Sequence, residues 1–190
     1  MRFRAAFVLY LRAMSLSPYD VSVPVLKQLL GALGHILAKA EAHVAQKKLE
    51  PAALLQARLF PDMFTFTRQV QIACDFAKGM SARLAGVEPP VEEDKEQSFA
   101  ELRARVERTL AFLGRLERSA FEGSEARHIV LRAGTPKERS FNGQDYLLHY
   151  ALPQFFFHVT TAYALLRHNG LEIGKLDFMG VTAAPAARSS

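Results

Sequence analysis

The chain has 190 residues, of which 49% are hydrophobic and 23% are charged, and its formal net charge is +5. This composition is typical of one globular domain with a sizeable core, and it excludes a disordered or fibrous protein. No apolar run is long enough to span a bilayer, so no membrane partner is expected.

The positive charge is unevenly distributed along the chain. Three arginines lie within the first thirteen residues, and the rest of the chain carries 21 basic and 19 acidic residues. The body of the protein is therefore nearly neutral, which argues against nucleic acid as a partner. The single cysteine, Cys74, cannot form an internal disulfide. It favours a reducing compartment, and we expect a cytoplasmic location.

Both ends of the chain differ from its body. Residues 1–13 contain basic and then apolar residues, but Arg12 interrupts the apolar run and no convincing cleavage site follows. We interpret this segment as an upstream extension or loose arm, with an export signal as the alternative, and residues 14–180 as the domain. Residues 181–190 are small, polar and Pro-containing, which predicts a disordered tail.

Apolar residues at steps of three and four predict two long helices in the first half of the body. Helix one is expected over residues 23–46, with Ser22 as its cap. A short helical turn should follow Pro51. Helix two is expected over residues 62–85, with Gly86 as the left-handed residue that ends it.

Helix three has the strongest start signal, a capping box formed by Ser98 and Glu101. Its apolar stripe continues to Ala120. Five arginines alternate with glutamates along it: Arg103, Arg105, Arg108, Arg115 and Arg118. Such mixed charge is typical of a solvated helix face with pairs four residues apart, rather than of an RNA-binding face.

A short two-stranded ribbon is predicted between helices three and four, with its turn at residues 134–136. Helix four is expected over residues 143–168, capped by Asn142 and stapled by Phe141 against Tyr146. Its inward stripe is predicted to contain Leu148 and Leu152. Pro153 removes one backbone hydrogen bond and should kink the helix near Leu148 and His149.

These elements predict an all-α protein, an antiparallel four-helix bundle with a short β-hairpin between helices three and four. Three stretches then carry a family resemblance: "MSLSPYDVSVPVLKQLL", "LFPDMFTFTRQV" and "FFFHVTTAYALLRHNGLEIGKLDFMG". They resemble an uncharacterised bacterial domain family in the DinB-like (YfiT-like) four-helix-bundle superfamily. The resemblance covers nearly the whole domain and implies that fold, but no activity.

The superfamily resemblance also implies a divalent metal at one end of the bundle, held by a His on helix two and an H-x-x-x-H pair on helix four. Here His158 matches the second His of that pair, but Gln154 stands where the first is expected, and helix two has no His. Tight Zn²⁺ or Ni²⁺ binding requires about three strong donors. We therefore expect no cofactor and no metal; His158 is the ligand if one binds.

The candidate pocket consists of His158, Gln154, Asp62 and Tyr163, and no catalytic residue is assigned. His158 is expected to be a structural residue whose ring bonds a buried polar partner. Tyr163 is interpreted as a packing residue. Two hypotheses remain open: a non-catalytic or small-ligand-binding homodimer with a degenerate metal site, and a metal-dependent transferase or hydrolase with an altered ligand set around His158.

Overall fold

The computed structural model describes residues 16–180; the predictions for residues 1–13 and 181–190 lie outside this range. The helices in chain order are α1 (Val23–Lys47), α2 (Ala52–Leu55), α3 (Phe66–Ala85), α4 (Phe99–Gly114), α5 (Gly143–Asp145), α6 (Leu152–His168) and α7 (Lys175–Met179). A π-helix, Tyr146–Ala151, joins α5 to α6, so these three segments form one fourth bundle helix. The predicted helical bundle is confirmed.

The starts of the long helices follow their capping residues. Ser98 and Glu101 form the predicted capping box of α4. Helix α3 begins at Phe66 rather than at residue 62, because the Thr65 side chain accepts a hydrogen bond from the Arg68 N–H. The expectation for Ser22 was wrong: it precedes α1, but its hydroxyl donates to the Pro18 carbonyl and caps nothing.

The ribbon before the fourth bundle helix is also confirmed. Strands β1 (His128–Leu131) and β2 (Arg139–Asn142) pair antiparallel, with Ile129 opposite Phe141. A lone hairpin is marginal in water, so its packing on the bundle matters. Just before β1, Arg127 donates to the carbonyls of Arg83 and Leu84 at the end of α3. The hairpin is thereby fixed to one end of α3.

The long connection over residues 86–98 determines the helix directions. It returns the chain to the end of the bundle at which α3 began, so α3 and α4 run in the same direction, whereas α3 and α6 run in opposite directions. Four contacts establish this order: Phe66 with Phe99, Asp75 with Arg105, Gln69 with His158, and Arg83 with Tyr146.

The core confirms most predicted stripe residues, but α4 ends at Gly114 although its stripe was expected to continue to Ala120, and the register of the fourth bundle helix differs. All six stripe residues of α1, from Leu26 to Val44, are buried. On the fourth bundle helix Leu147 is buried and Leu148 is 42% exposed, the reverse of the prediction. The wider turn of the π-helix shifts the inward register there by one residue. None of the helices between residues 16 and 180 is long and apolar enough to cross a membrane.

Candidate ligand-binding site

The π-helix is the local feature from which the candidate site is built. Pro153 lies two residues after its end and has no N–H to donate, so the usual helical ladder cannot continue through this turn. The Leu152 N–H instead reaches the Leu147 carbonyl, five residues back. A kink was predicted near Leu148 and His149, and the structure has a π-helix over these residues. Such segments occur frequently at functional sites.

Tyrosines on this π-helix belong to a row of aromatic side chains. The rings of Tyr146 and Tyr150 stack with centroids 6.0 Å apart. Phe141 of β2 contacts both, which confirms the predicted contact between Phe141 and Tyr146. Phe76 of α3 packs edge-on against Tyr150 and stacks on His158 at 5.9 Å. The row therefore connects the hairpin to the imidazole of His158.

Arg83 lies at the hairpin end of this row. Its guanidinium donates to the Tyr146 hydroxyl at 3.3 Å. The side chain folds back over Gly79, where a Cβ would collide with the guanidinium, so the glycine makes this position accessible. Burial raises the pKa of Tyr146, and the charge of Arg83 offsets only part of that effect. Tyr146 is therefore a protonated hydrogen-bonding group at neutral pH.

Two adjoining clefts share Arg83. The larger, of about 390 Å³, lies between the end of α3 and β1 and includes His128 and Glu88. The smaller, of about 200 Å³, lies over the π-helix. Its walls combine aromatic and charged residues: Phe76, Tyr146, Tyr150, Arg83, Arg132 and Asp75. A concave, partly aromatic surface with a few convergent polar groups is typical of a small-molecule site.

His158 lies at the other end of the row and forms a hydrogen bond across the bundle. Its Nδ1 lies 2.7 Å from Oε1 of Gln69 on α3. The Gln69 amide nitrogen donates to the Phe64 carbonyl, so Oε1 is the acceptor and Nδ1 carries the proton. Burial, with a contribution from the charge of Arg68, lowers the pKa of His158 to about 4. The imidazole is therefore neutral at pH 7.

The other predicted pocket residues lie in different environments. Gln154 is half-buried, one turn before His158 on the same helix. Asp62 is exposed in the turn that precedes α3. The ring of Tyr163 packs edge-on against Phe178 of α7, with centroids 5.5 Å apart. The hydrogen bond of His158 goes to Gln69, a residue that the sequence analysis did not select.

The donor set around His158 does not fit the metal that the superfamily resemblance implies. It offers one imidazole, with neutral amides at Gln69 and Gln154, and amide oxygens are weak ligands for Zn²⁺ or Ni²⁺. Within residues 16–180, no group of three His, Cys, Asp or Glu side chains is placed to hold an ion. No chemical step is therefore derived through a metal.

A second polar cluster surrounds Arg105 of α4, and it corrects an expectation. Arg105 was predicted to lie on a solvated face, but its side chain is 0% exposed. It contacts Asp75 at 2.7 Å, Asp94 at 3.0 Å and Glu96 at 3.2 Å. The two last residues belong to the connection over 86–98, which covers this face of the helix.

The charges of the Arg105 cluster are mutually satisfied. Burial opposes the charge of Arg105, but the charges and hydrogen bonds of Asp75 and Glu96 outweigh it and raise its pKa. The nearly buried Lys78 is paired with Asp75 at 3.4 Å and with Glu92 at 3.5 Å. Arg68 also pairs with Asp94, and Arg108 with Glu92, so four cations face four carboxylates. The cluster fastens the connection to α3 and α4 and offers no free group for chemistry.

The spacing of residues along α3 and the fourth bundle helix indicates the site residues that the sequence analysis did not select. Gln69, Phe76 and Arg83 recur every seven residues and so share one face of α3. Tyr146, Tyr150, Gln154 and His158 recur every four residues on the facing helix. A second, polar and aromatic stripe beside the apolar stripe of each helix would have indicated this row.

A four-helix bundle with parallel second and third long helices, a hairpin before the fourth, and a polar row between α3 and α6 defines a DinB-like bundle protein. The chain belongs to the family described as Domain of unknown function (DUF1993), which matches residues 18–179. It is 37% identical to a DinB family member protein from Shewanella denitrificans, with a TM-score of 0.82 over 94% of this chain and 98% of that chain. A search of curated proteins found no match.

Proposed function

We propose that this protein is a non-catalytic, small-ligand-binding bundle in which His158 is a neutral hydrogen-bonding residue rather than a metal ligand. The observation that carries the proposal is the 2.7 Å contact between His158 Nδ1 and Gln69 Oε1. This bond satisfies the imidazole within the protein and places an amide where a strong metal donor would be needed. The clefts on either side of Arg83 support the ligand-binding part of the proposal.

Metal analysis separates this proposal from a metal-dependent transferase or hydrolase. The chain should be purified without a histidine tag, and its metal content and thermal unfolding measured with chelator, Zn²⁺ or Ni²⁺. We expect no retained metal and no specific shift in melting temperature, because a ligand stabilises only a fold that binds it. His35→Ala, which alters an exposed histidine on α1, is the matched control for any response of His158→Ala.

A chelator-sensitive stabilisation that is present in the parent protein and absent from His158→Ala would overturn the proposal. That outcome would favour the metal-dependent enzyme instead. A response that His35→Ala abolishes equally would mark surface binding of the added ion, and the proposal would stand.

The proposal includes a homodimer in the cytoplasm. An apolar patch, defined as Phe60, Phe64, Phe156 and Phe157, is between 38% and 64% exposed. Two of its members contact the Gln69–His158 pair. The Phe64 carbonyl accepts a hydrogen bond from the Gln69 amide, and the ring of Phe157 packs edge-on against His158. Exposed apolar patches of this kind mark association surfaces. An isologous contact between two copies would cover it.

A further inference from the structure

We propose that the cleft over the π-helix binds a planar aromatic carboxylate, with the carboxylate on Arg83 and Arg132 and the ring against Phe76 and Tyr150. This inference rests on the proposed ligand-binding function and names the chemical class of its ligand. The cleft is distinct from the Gln69–His158 pair, which lies at the other end of the aromatic row.

The charge balance of the cleft selects an anion. Arg83 and Arg132 are the cations in its wall, and Asp75 is the acid. Asp75 forms ion pairs with Arg105 at 2.7 Å and with Lys78 at 3.4 Å, so these two cations neutralise its charge. The Tyr146 hydroxyl that accepts from Arg83 is neutral, so this contact leaves the charge of Arg83 uncompensated, and Arg132 is exposed at the rim. The cleft is therefore locally positive.

The geometry of the donors narrows the anion to a small planar group. Arginine presents its N–H groups in a flat fork that matches a carboxylate in two parallel hydrogen bonds. Arg83 is held by Tyr146 and by the space above Gly79, so little side-chain entropy is lost when it binds. A fixed guanidinium beside a cleft is a pre-organised anion site.

The apolar part of the wall selects an aromatic ring. Phe76 and Tyr150 are half-buried, and their rings meet edge-to-face 6.0 Å apart. The cleft of about 200 Å³ accommodates a ligand with one or two rings rather than an extended cofactor. A flat ring buries the most apolar surface against this wall with few rotatable bonds to immobilise.

The backbone of Arg132 gives a second, independent observation. Its φ is +53°, in the left-handed region, although it is not a glycine. Among the described non-glycine residues, Lys48 shares this property, and Lys48 ends α1. Such a conformation costs of the order of 1 kcal/mol and clusters at ligand sites. At Arg132 it places a charged residue at the end of β1, on the rim of the cleft.

Calorimetric titration of the full chain with 2-naphthoate and with its neutral isostere 2-naphthamide tests the proposal. We expect 2-naphthoate to bind about tenfold more tightly, since one charge-assisted fork is worth roughly this factor. Arg83→Gln and Arg132→Gln should each weaken 2-naphthoate binding about fivefold or more and leave 2-naphthamide unaffected. Arg115→Gln, an exposed arginine just after α4 and outside the cleft, should leave both unchanged.

Each contrary result is informative. Equal affinity for acid and amide, or an equal loss in Arg115→Gln, would overturn the carboxylate assignment and leave the ligand-binding function intact. No binding of either compound would overturn the ligand class. If inorganic phosphate bound as tightly as 2-naphthoate, the site would recognise the anion alone and the aromatic part would be wrong. Arg132→Gln keeps the test decisive if Arg83→Gln disturbs folding, because Arg132 is exposed. Retained metal in the separate metal analysis would refute the proposed function independently of these titrations.

Discussion

His158 is a buried imidazole that the fold keeps uncharged. Its pKa falls from 6.5 to about 4 because burial penalises the charged form and Arg68 repels it. The unfolded chain therefore binds more protons than the native chain between these two values. By linkage, the free energy of unfolding rises with pH in that interval. The contribution of neutral His158 is complete above pH 6.5 and is lost as pH falls towards 4.

Acidification gives the first prediction. The free energy of unfolding should decline between pH 6.5 and about 4 in the parent protein, and His158→Ala should reduce this slope. Denaturant unfolding at a series of pH values measures it. His35→Ala should keep the parent slope. A parent slope that is identical in His158→Ala would show that the imidazole is not the titrating group.

The second prediction concerns the hydrogen bond itself. His158→Ala leaves Oε1 of Gln69 buried without its donor and removes the stacking on Phe76. We expect a loss of about 1–3 kcal/mol in the free energy of unfolding at pH 7. Chemical denaturation with the m-value compared between variants provides the measurement. An unchanged midpoint would mean that water replaces the imidazole without cost.

Gly143 is a residue where a close backbone approach excludes every side chain. A Cβ at this position would overlap the Ser124 carbonyl. Gly143→Ala should therefore destabilise the fold by about 1–3 kcal/mol, although alanine normally favours a helix. Gly31→Ala is the matched control, because nothing lies within 4 Å of a Cβ there. It should leave thermal stability unchanged or raise it. Equal melting temperatures for both variants would contradict this interpretation.

Among the elements, the connection over 86–98 is exposed or half-buried, but its carboxylates contact a buried charge between α3 and α4. Its carboxylates cover Arg105, whose charge would otherwise be paired with Asp75 of α3 alone. Burial alone would raise the pKa of Glu96, but its hydrogen bonds to its own backbone, Gln71 and Arg105 lower it. This part of the stability is present above the unfolded pKa of 4.5 and is lost as pH falls further.

Substitution of Arg105 is the fourth prediction. Arg105→Met removes the buried cation that Asp75, Asp94 and Glu96 share, and we expect a loss of about 3–5 kcal/mol. Arg103→Met, two residues earlier on α4, breaks an exposed pair with Glu41 and should cost less than about 1 kcal/mol. Urea unfolding of the two variants at pH 7 compares them directly. Similar losses would show that the connection is not fastened through Arg105.

The caps Ser98 and Asn142 were predictable from the sequence, whereas Ser22 was a wrong prediction and the long-range polar contacts were not predicted. Ser98 and Glu101 act within one turn, so local sequence determines them. The burial of Arg105 depends on carboxylates nine to thirteen positions away that return over the helix only in three dimensions. The partner of His158 lies 89 residues away. Sequence spacing shows which residues share one face of a helix, but it does not show which helix faces contact each other.

Considered as a whole molecule, the protein has an apolar patch that the described chain does not cover. Light scattering should return a mass of about twice the 21.2 kDa of the chain at micromolar concentration. Replacing Phe60 and Phe157 together by serine should yield the monomer, because both are more than half exposed in the isolated chain. Val91→Ser, at a residue 96% exposed on the connection, should remain dimeric. A monomeric parent protein would refute the homodimer.

The lone thiol makes one internal motion of this molecule measurable without any engineering. Cys74 is fully buried behind Arg105 and Thr109, and burial raises its pKa to about 12. A thiol reagent can react with it only after α3 and α4 separate locally, so the labelling rate reports how often that interface opens. Loosening the connection, for example with Arg105→Met, should accelerate labelling far more than it changes the circular dichroism of the native state. The labelling rate of Cys74 therefore measures local opening of the α3–α4 interface beside the Arg105 cluster.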